Sequence, residues 1–212
     1  NKSLKGETLF LSIVLMRLFS ENQLKSVIGH ELGHFSGNDT SYSMKFAPVY
    51  SGMAKSISSI DGSQGETSIV ALPATAMLSA MFEIFASNVS KISRIREYEA
   101  DQAGINVSSN EDLALALSKV AIYSSFWSKV REENVSRLNK GKVSGNLSDV
   151  FEDSSKYDLS ILEIKDVIKK ILETNITHPT DTHPTIADRF QKIGYNSSLL
   201  SIDKISEVGN SS

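Results

Sequence analysis

The sequence predicts a mainly α-helical domain made of several packed helices, with at most a small β element. In nearly every periodic stretch, apolar residues recur every three or four positions, the spacing of a helix with one buried face. These stretches are joined mostly by short polar connections, and several open with a helix-capping signal. The length of 212 residues and the hydrophobic content of 40% suit one sizeable core. We predict one domain over 1–200 and a polar tail over 201–212 that frays.

The composition excludes some classes of protein. The net charge of −3, with no basic and aromatic patch, gives no sign of nucleic-acid binding. The chain has no cysteine, so disulfides and thiolate metal sites are excluded and His and carboxylate groups remain as metal ligands. The chain starts at Asn1 rather than at Met, so we expect it to be a fragment of a longer protein.

Two helices are predicted in the first part of the chain. The mostly apolar run from Gly6 to Phe19 is too long for a typical strand and has helical spacing, which favours a buried helix. Ser20-x-x-Gln23 is a capping box, and it predicts a second helix from about Glu21 to Ser36. The glycine and polar residues that follow Ser36 are expected to end this helix.

The sequence pattern in the middle of the chain predicts two helices, one with a weak amphipathic pattern and one that is long. Tyr42 to Ile60 has a weakly amphipathic pattern, and Asp61 to Gly65 reads as a turn. A long helix begins near Ser68, and its pattern continues through Lys91 to Gly104. The uncharged part of this helix is shorter than the about 20 residues that a membrane span needs. A buried or interfacial helix is therefore favoured over a transmembrane one, which stays as the alternative.

The last third predicts three further helices. Asn110-Glu111-Asp112 is expected to cap a long helix that reaches about Leu138. The Gly- and Ser-rich stretch from 139 to 158 is predicted to be a long loop, and Ser160-x-x-Glu163 then starts a helix to about Glu173. Pro184 fits the first position of a final helix, and Gly194 fits its end.

The predicted second helix carries the motif His30-Glu31-x-x-His34. Two histidines four residues apart lie one turn apart on one helix face, so both rings can reach the same ion. Glu31 projects from a neighbouring direction, where it can reach a water on that ion, as in zinc peptidases. The alternative is a surface helix with two ordinary histidines. The apolar flanks and the poor helix formers Gly29 and Gly33 argue instead for a helix against which something packs closely.

Two later segments hold further candidate site residues. Glu97 and Asp101 are four apart and share a helix face, so Glu97 can complete a metal site while Asp101 supports it from one turn on. A solvated, charged helix face explains the same residues equally well. His183 is expected at the entrance of the final helix with Arg189 nearly two turns in, although His183 could also be a capping residue without chemistry.

Three motifs stand in one order along the chain. They are His30-Glu31-x-x-His34, Glu97-x-x-x-Asp101 and His183-Pro184-x-x-x-x-Arg189. This set resembles the HtpX-like and CAAX prenyl protease family of zinc metallopeptidases, a gluzincin group, over most of the chain from about 21 to 189. The resemblance implies a zincin-like fold and one Zn²⁺ per chain held by His30, His34 and Glu97, with Glu31 as the base. It also places Asp101 near the ligands, and His183 and Arg189 close to the site.

The sequence departs from the family in two places. Many members carry transmembrane helices between the first two motifs, whereas 42–90 is amphipathic and only borderline hydrophobic here. We therefore expect a soluble or interfacial segment within a full-length protein that is membrane-associated. Members also often have an edge β-strand that aligns the substrate, and no convincing strand precedes Glu21.

The function predicted from these residues is zinc-dependent endopeptidase activity on protein substrates. Glu31 would accept a proton from the metal-activated water and His183 would donate to the oxyanion. Asp101 would receive an N–H from a ligand histidine or pair with Arg189. The alternative is a catalytically idle, metal-containing helical module that binds a membrane surface or a protein partner, against which the presence of Glu31 argues. Nothing favours a metal hydrolase that acts on a non-peptide bond, and the oligomeric state is not predicted.

Overall fold

The computed structural model describes residues 8–36, 39–61, 67–142, 146, 161–173, 183–200 and 202–206. These residues are mostly helical and contain no β-strand, which confirms the mainly α class. Asp61, the first residue of the predicted turn, instead ends a helix, while 62–65 and most of the loop predicted at 139–158 lie outside the described residues. The chain folds as two compact units, of which the first comprises Asn1–Gly33, Ala100–Ile176 and Thr185–Ser212 and the second His34–Glu99 and Thr177–Pro184.

The described residues form eight α-helices and one 3-10 turn. The helices are α1 (Ile13–Met16), α2 (Glu21–Ser36), α3 (Asp39–Asp61), α4 (Thr67–Asn106), α5 (Asn110–Asn139), α6 (Ile161–Glu173), α7 (Ile186–Lys192) and α8 (Ile202–Ser206), and the 3-10 turn is Ser197–Leu199.

The prediction of a buried helix from Gly6 to Phe19 is wrong for the residues of this run that the structure describes. Only Ile13–Met16 form a helical turn. Phe10 is 82% exposed, whereas Leu18 and Phe19 at the end of the run are buried. An apolar helix gains most of its stability from burial, and among the described side chains of this run the buried ones are Leu18 and Phe19 at its end.

The helix with the histidine motif begins and ends as predicted. The capping box is present, because the Gln23 N–H donates to Ser20 Oγ at 3.3 Å and the Ser20 N–H donates to Gln23 Oε1 at 3.2 Å. The buried residues of α2 are Gln23, Ser26 and Gly29 rather than the apolar flanks of the motif, and Leu32 is exposed. The face of α2 that packs is therefore one of small and polar side chains.

The core of the first unit surrounds α5, which contacts α6, α7 and α8. Two clusters of buried apolar side chains lie along this helix. The first comprises Leu18, Leu115, Ile122, Tyr123, Phe126, Val130, Ile164 and Ile205, and the second Leu113, Ala114, Phe190, Ile193 and Tyr195. The long helix predicted from Asn110 to about Leu138 is thus present, and its apolar side chains line this core.

Two helices start one or two residues away from the positions predicted from the sequence. The cap of α5 is Ser109, whose side chain accepts from the Asp112 N–H at 3.1 Å, and not Asn110. The cap of α7 is Thr185, so Pro184 precedes the helix instead of taking its first position. In both cases a hydroxyl satisfies a free N–H of the first helical turn. Gly194 follows the end of α7 as predicted, with a φ of 71°.

The prediction of a frayed tail is wrong for the first residues of that tail. Ile202–Ser206 form α8, and Ile205 is fully buried in the first cluster of α5. Lys204 forms an ion pair with Glu111 at the start of α5. This segment is thus part of the core, and residues 207–212 lie outside the described residues.

The second unit consists mainly of α3 and the first part of α4. The rings of Phe46 and Phe85 lie 5.7 Å apart and pair the two helices. Among the described residues, one helical stretch, Leu72–Asn106 of α4, is long and apolar enough to cross a membrane by length and composition, and 11% of its apolar window is buried. Met77, Met81 and Ile84 are more than half exposed. The expectation that this helix is buried is therefore wrong, and the interfacial and spanning alternatives stay open.

Candidate metal centre

Within the first unit, α2 and α4 approach each other through glycines. A Cβ added to Gly33 would lie 2.9 Å from Ala100 Cα, and one added to Gly104 would lie 2.7 Å from the Ser26 carbonyl oxygen. Contacts this short do not accommodate a side chain, so the two backbones are closer than alanine allows. The expectation of close packing at Gly29 and Gly33 is confirmed, since a Cβ on Gly29 would lie 2.6 Å from Val107.

This packing places His30 of α2 beside Asp101 of α4. His30 Nδ1 lies 2.9 Å from Asp101 Oδ1. Arg189 of α7 binds the same carboxylate with two groups, Nε donating to Oδ2 at 2.9 Å and a terminal nitrogen donating to Oδ1. Such two-pronged pairs fix the orientation of both partners. Asp101 therefore contacts both residues that were expected as its partners, the histidine and the arginine.

Asp101 stays in its ionised form although the residue is fully buried. Burial acts to raise its pKa, but the hydrogen bonds to His30 and Arg189 and the charge of Arg189 outweigh burial and hold the pKa below its ordinary value. A carboxylate at Asp101 accepts the Nδ1–H of His30, which leaves the Nε2 lone pair as the one able to bind a metal.

The second unit contains three other predicted site residues, His34, Glu97 and His183. His34 Nε2 lies 3.8 Å from Glu97 Oε1, and His183 Nδ1 lies 2.9 Å from the same oxygen. Glu97 is buried, whereas the His183 side chain is 72% exposed. Glu97 is therefore not part of a solvated, charged face, which removes that alternative.

The His34 and Glu97 side chains fit a shared zinc ion. Bonds from zinc to histidine nitrogen and carboxylate oxygen are about 2.0 to 2.2 Å long. A histidine nitrogen and a carboxylate oxygen on one ion are thus separated by at most about 4.3 Å, and the observed 3.8 Å lies within this limit. Nitrogen and oxygen donors without thiolates also suit a catalytic zinc site.

The sequence interpretation missed one buried polar residue of the first unit. Lys119 of α5 is 1% exposed, and its ammonium group donates to the Leu18 carbonyl oxygen at 2.7 Å. The sequence held a signal for it. Lys119 follows Leu115 by four residues and precedes Ile122 by three, so by helical spacing it shares a face with two apolar residues.

Comparison with known proteins agrees with this geometry. A family model described as peptidase family M48 matches residues 2–197. The chain belongs to this family. The predicted HtpX-like membership is thereby confirmed.

Several curated relatives are named protease HtpX homologs. The one from Archaeoglobus fulgidus is 29% identical over 125 residues, which cover 57% of this chain and 37% of that protein. The one from Polynucleobacter necessarius is 32% identical over 117 residues, with 53% and 41% covered. The one from Pyrobaculum calidifontis is 27% identical over 125 residues, with 55% and 36% covered. The chain thus spans about two fifths of the length of these relatives. No solved structure matches it significantly.

Proposed function

We propose that this M48 chain is the catalytic part of a zinc-dependent metalloendopeptidase that hydrolyses peptide bonds of protein substrates. The observation that carries the proposal is the pairing of each motif histidine with one carboxylate of α4. His30 faces Asp101 in the first unit, and His34 faces Glu97 in the second. Pairs of this kind are typical of a metal site, in which one carboxylate orients a histidine and another binds the ion.

The proposed ligands of one Zn²⁺ per chain are His30, His34 and Glu97. The two histidines lie one turn apart on α2, and each of the three residues offers a ligand atom that could bind an ion. Three protein ligands leave a position for water, which is the arrangement of catalytic rather than structural zinc. Zinc bound there would lower the pKa of this water toward about 7.

Glu31 is the proposed general base. It follows His30 directly and leaves α2 about 100° around the helix from it, so it can reach the water without replacing a ligand. Its carboxylate accepts the proton of the attacking water and then passes a proton to the leaving amine. Asp101 and Arg189 hold His30 in the orientation that leaves its Nε2 available.

His183 is the proposed donor to the oxyanion of the tetrahedral intermediate. Its contact with Glu97 places it at the carboxylate of a proposed ligand, and its exposed ring is accessible to a substrate. The same contact gives His183 a second role, since a hydrogen bond to a ligating carboxylate fixes the position of that carboxylate.

We further propose that the full-length protein is membrane-associated and that α4 contributes to this association. The apolar side chains Leu72, Met77, Met81 and Ile84 lie exposed on this helix. This surface also supports the second candidate function, a catalytically idle module that binds a membrane surface. Zinc removal separates the two functions. It would abolish peptide cleavage by a zinc endopeptidase, whereas membrane binding by an idle module would not depend on a working site.

Zinc stoichiometry tests the proposed ligand set. The wild-type chain and Glu31→Gln are expected to bind one zinc ion, and His34→Ala and Glu97→Ala are expected to bind none after dialysis against a weak chelator. The matched control is His178→Ala, which removes a histidine outside the three motifs. Equal zinc content in wild type and His34→Ala would rule out this ligand set.

A further inference from the structure

Lys119 is a buried cation that the proposed reaction does not use. It lies in the middle of α5, among side chains of the first core cluster, and is 1% exposed. Removing an ammonium group from water is costly unless it gains hydrogen bonds in return. The observed hydrogen bond joins its Nζ to the Leu18 carbonyl oxygen, 101 residues earlier in the chain, at 2.7 Å.

The Leu18 carbonyl lies at the entrance to the helix that carries the histidine motif. Two residues later, Ser20 caps α2 through the box that it forms with Gln23. Leu18 is itself buried, so both its side chain and its carbonyl are fixed. His30 follows ten residues after Ser20, about 15 Å along a stiff helix. A tilt or shift at the entrance is therefore transmitted to His30.

The beginning of α5 holds the helix that carries Arg189. The Asn110 side-chain amide donates to the Ile193 carbonyl oxygen at 2.7 Å, and Ile193 is the C-cap of α7. Leu113 of α5 and Phe190 of α7 belong to the same buried cluster. The side chains of α2 and α7 meet at Asp101, and α5 contacts both of these helices. It contacts the entrance of α2 through Lys119 and the end of α7 through Asn110.

We propose that Lys119 is a positioning residue of the metal centre, which fixes α2 on α5 and thereby sets the approach of His30 to Asp101. The proposal rests on the proposed function, since it takes His30 to be a ligand. Without the hydrogen bond of Lys119, the entrance of α2 loses a directional contact with α5, whereas the apolar contacts of Leu18 are not directional. His30 then loses its fixed orientation, although the core around α5 can still form.

The test compares Lys119→Met with a control in the same helix. Methionine keeps an unbranched apolar stem and removes the donor. Val130→Ala is the control, because Val130 is also buried in α5 and in the same cluster, and its loss removes core packing without removing a hydrogen bond. Lys119→Leu also removes the donor, and it replaces Lys119→Met in the comparison if that variant does not fold.

Two readouts on the 212-residue chain separate positioning from general stability. The first is the low-field proton signal of the His30 ring N–H bonded to Asp101, recorded without metal and assigned by its loss in Asp101→Ala. The second is zinc affinity by chelator competition. We expect Lys119→Met to lose the ring signal and to bind zinc roughly 10-fold more weakly, the lower end of the effect of losing a residue that supports a ligand. Val130→Ala is expected to keep both properties, whatever its melting temperature.

Equal behaviour of Lys119→Met and Val130→Ala in both readouts would overturn the positioning role. A wild-type chain that gives the ring signal but binds no zinc would instead contradict the proposed function. The role of Lys119 in orienting His30 would then still be decided by the ring signal.

Discussion

His30 Nδ1 lies 2.9 Å from Oδ1 of Asp101, and this carboxylate is at the same time bound by Arg189 through two of its nitrogens. The histidine is therefore oriented by a residue of another helix, which is in turn held by a third. The proposed metal binding by α2 would therefore depend on Asp101 and Arg189, which are not among the proposed ligands.

Replacement of Asp101 by asparagine tests this dependence. The amide keeps the shape of the side chain but loses the negative charge. This charge pairs with Arg189 and strengthens the hydrogen bond from the His30 N–H. We expect zinc affinity to fall roughly 10- to 100-fold, as is typical for partners of ligand histidines. Chelator competition measures this fall. The exposed Asp203 gives the control Asp203→Asn, which should change affinity less than twofold, and an equal effect of both variants would contradict the role of Asp101.

The close approach of α2 and α4 predicts opposite effects for two glycine substitutions. Gly104→Ala would place a Cβ 2.7 Å from a backbone oxygen of Ser26, so the helices must separate. We expect a loss of about 1 to 3 kcal/mol in the free energy of unfolding, the usual cost of overpacking. Gly52→Ala meets no atom within 4 Å and should stabilise α3 by about 0.5 to 1 kcal/mol. Urea denaturation of both variants checks the signs, and a neutral Gly104→Ala would show that the helices are not in tight contact.

The features that the sequence predicted well are local. The capping box at Ser20 and the limits of α2 follow from residues three to four positions apart, whose geometry a helix fixes without help from the rest of the chain. The pairs His30 with His34 and Glu97 with Asp101 follow from the same spacing. Their roles needed the family resemblance, because spacing alone cannot show which carboxylate faces which histidine.

The features that the sequence predicted poorly depend on contacts between distant segments. Phe10 and Leu18 belong to one apolar run, yet the second alone is buried, because burial depends on where α5 lies. Ile205 was assigned to a polar tail and fills the core of the first unit. Hydropathy reports how much a side chain gains from burial, but not whether a partner surface exists for it.

The exposed apolar side chains of α4 predict binding to lipid bilayers. The double variant Met81→Glu, Ile84→Glu should reduce co-sedimentation with neutral phospholipid vesicles severalfold, because charged groups are expensive to place in a bilayer. Both side chains are more than half exposed, so the fold should survive. Leu199→Glu, at an equally exposed leucine outside α4, should bind as wild type does. Equal binding of all three proteins would contradict a lipid-binding role for α4.

Zinc is expected to stabilise the folded chain through the proposed ligands. A ligand at 100 times its dissociation constant adds about 2.7 kcal/mol to the free energy of unfolding. The melting temperature of wild type and Glu31→Gln should therefore rise on addition of zinc and fall again with a chelator. His34→Ala should show neither change, and a zinc-dependent rise of the same size in this variant would indicate that zinc binds elsewhere.

The central claim is that Glu31 is the base of a zinc endopeptidase, and cleavage of an unstructured protein tests it most directly. Casein is incubated with wild type and with Glu31→Gln, both loaded with one zinc ion per chain. The account predicts cleavage by wild type and none by Glu31→Gln, since glutamine cannot accept the proton of the water. Equal cleavage by both proteins would contradict the role of Glu31, and no cleavage by zinc-loaded wild type would contradict endopeptidase activity of this chain.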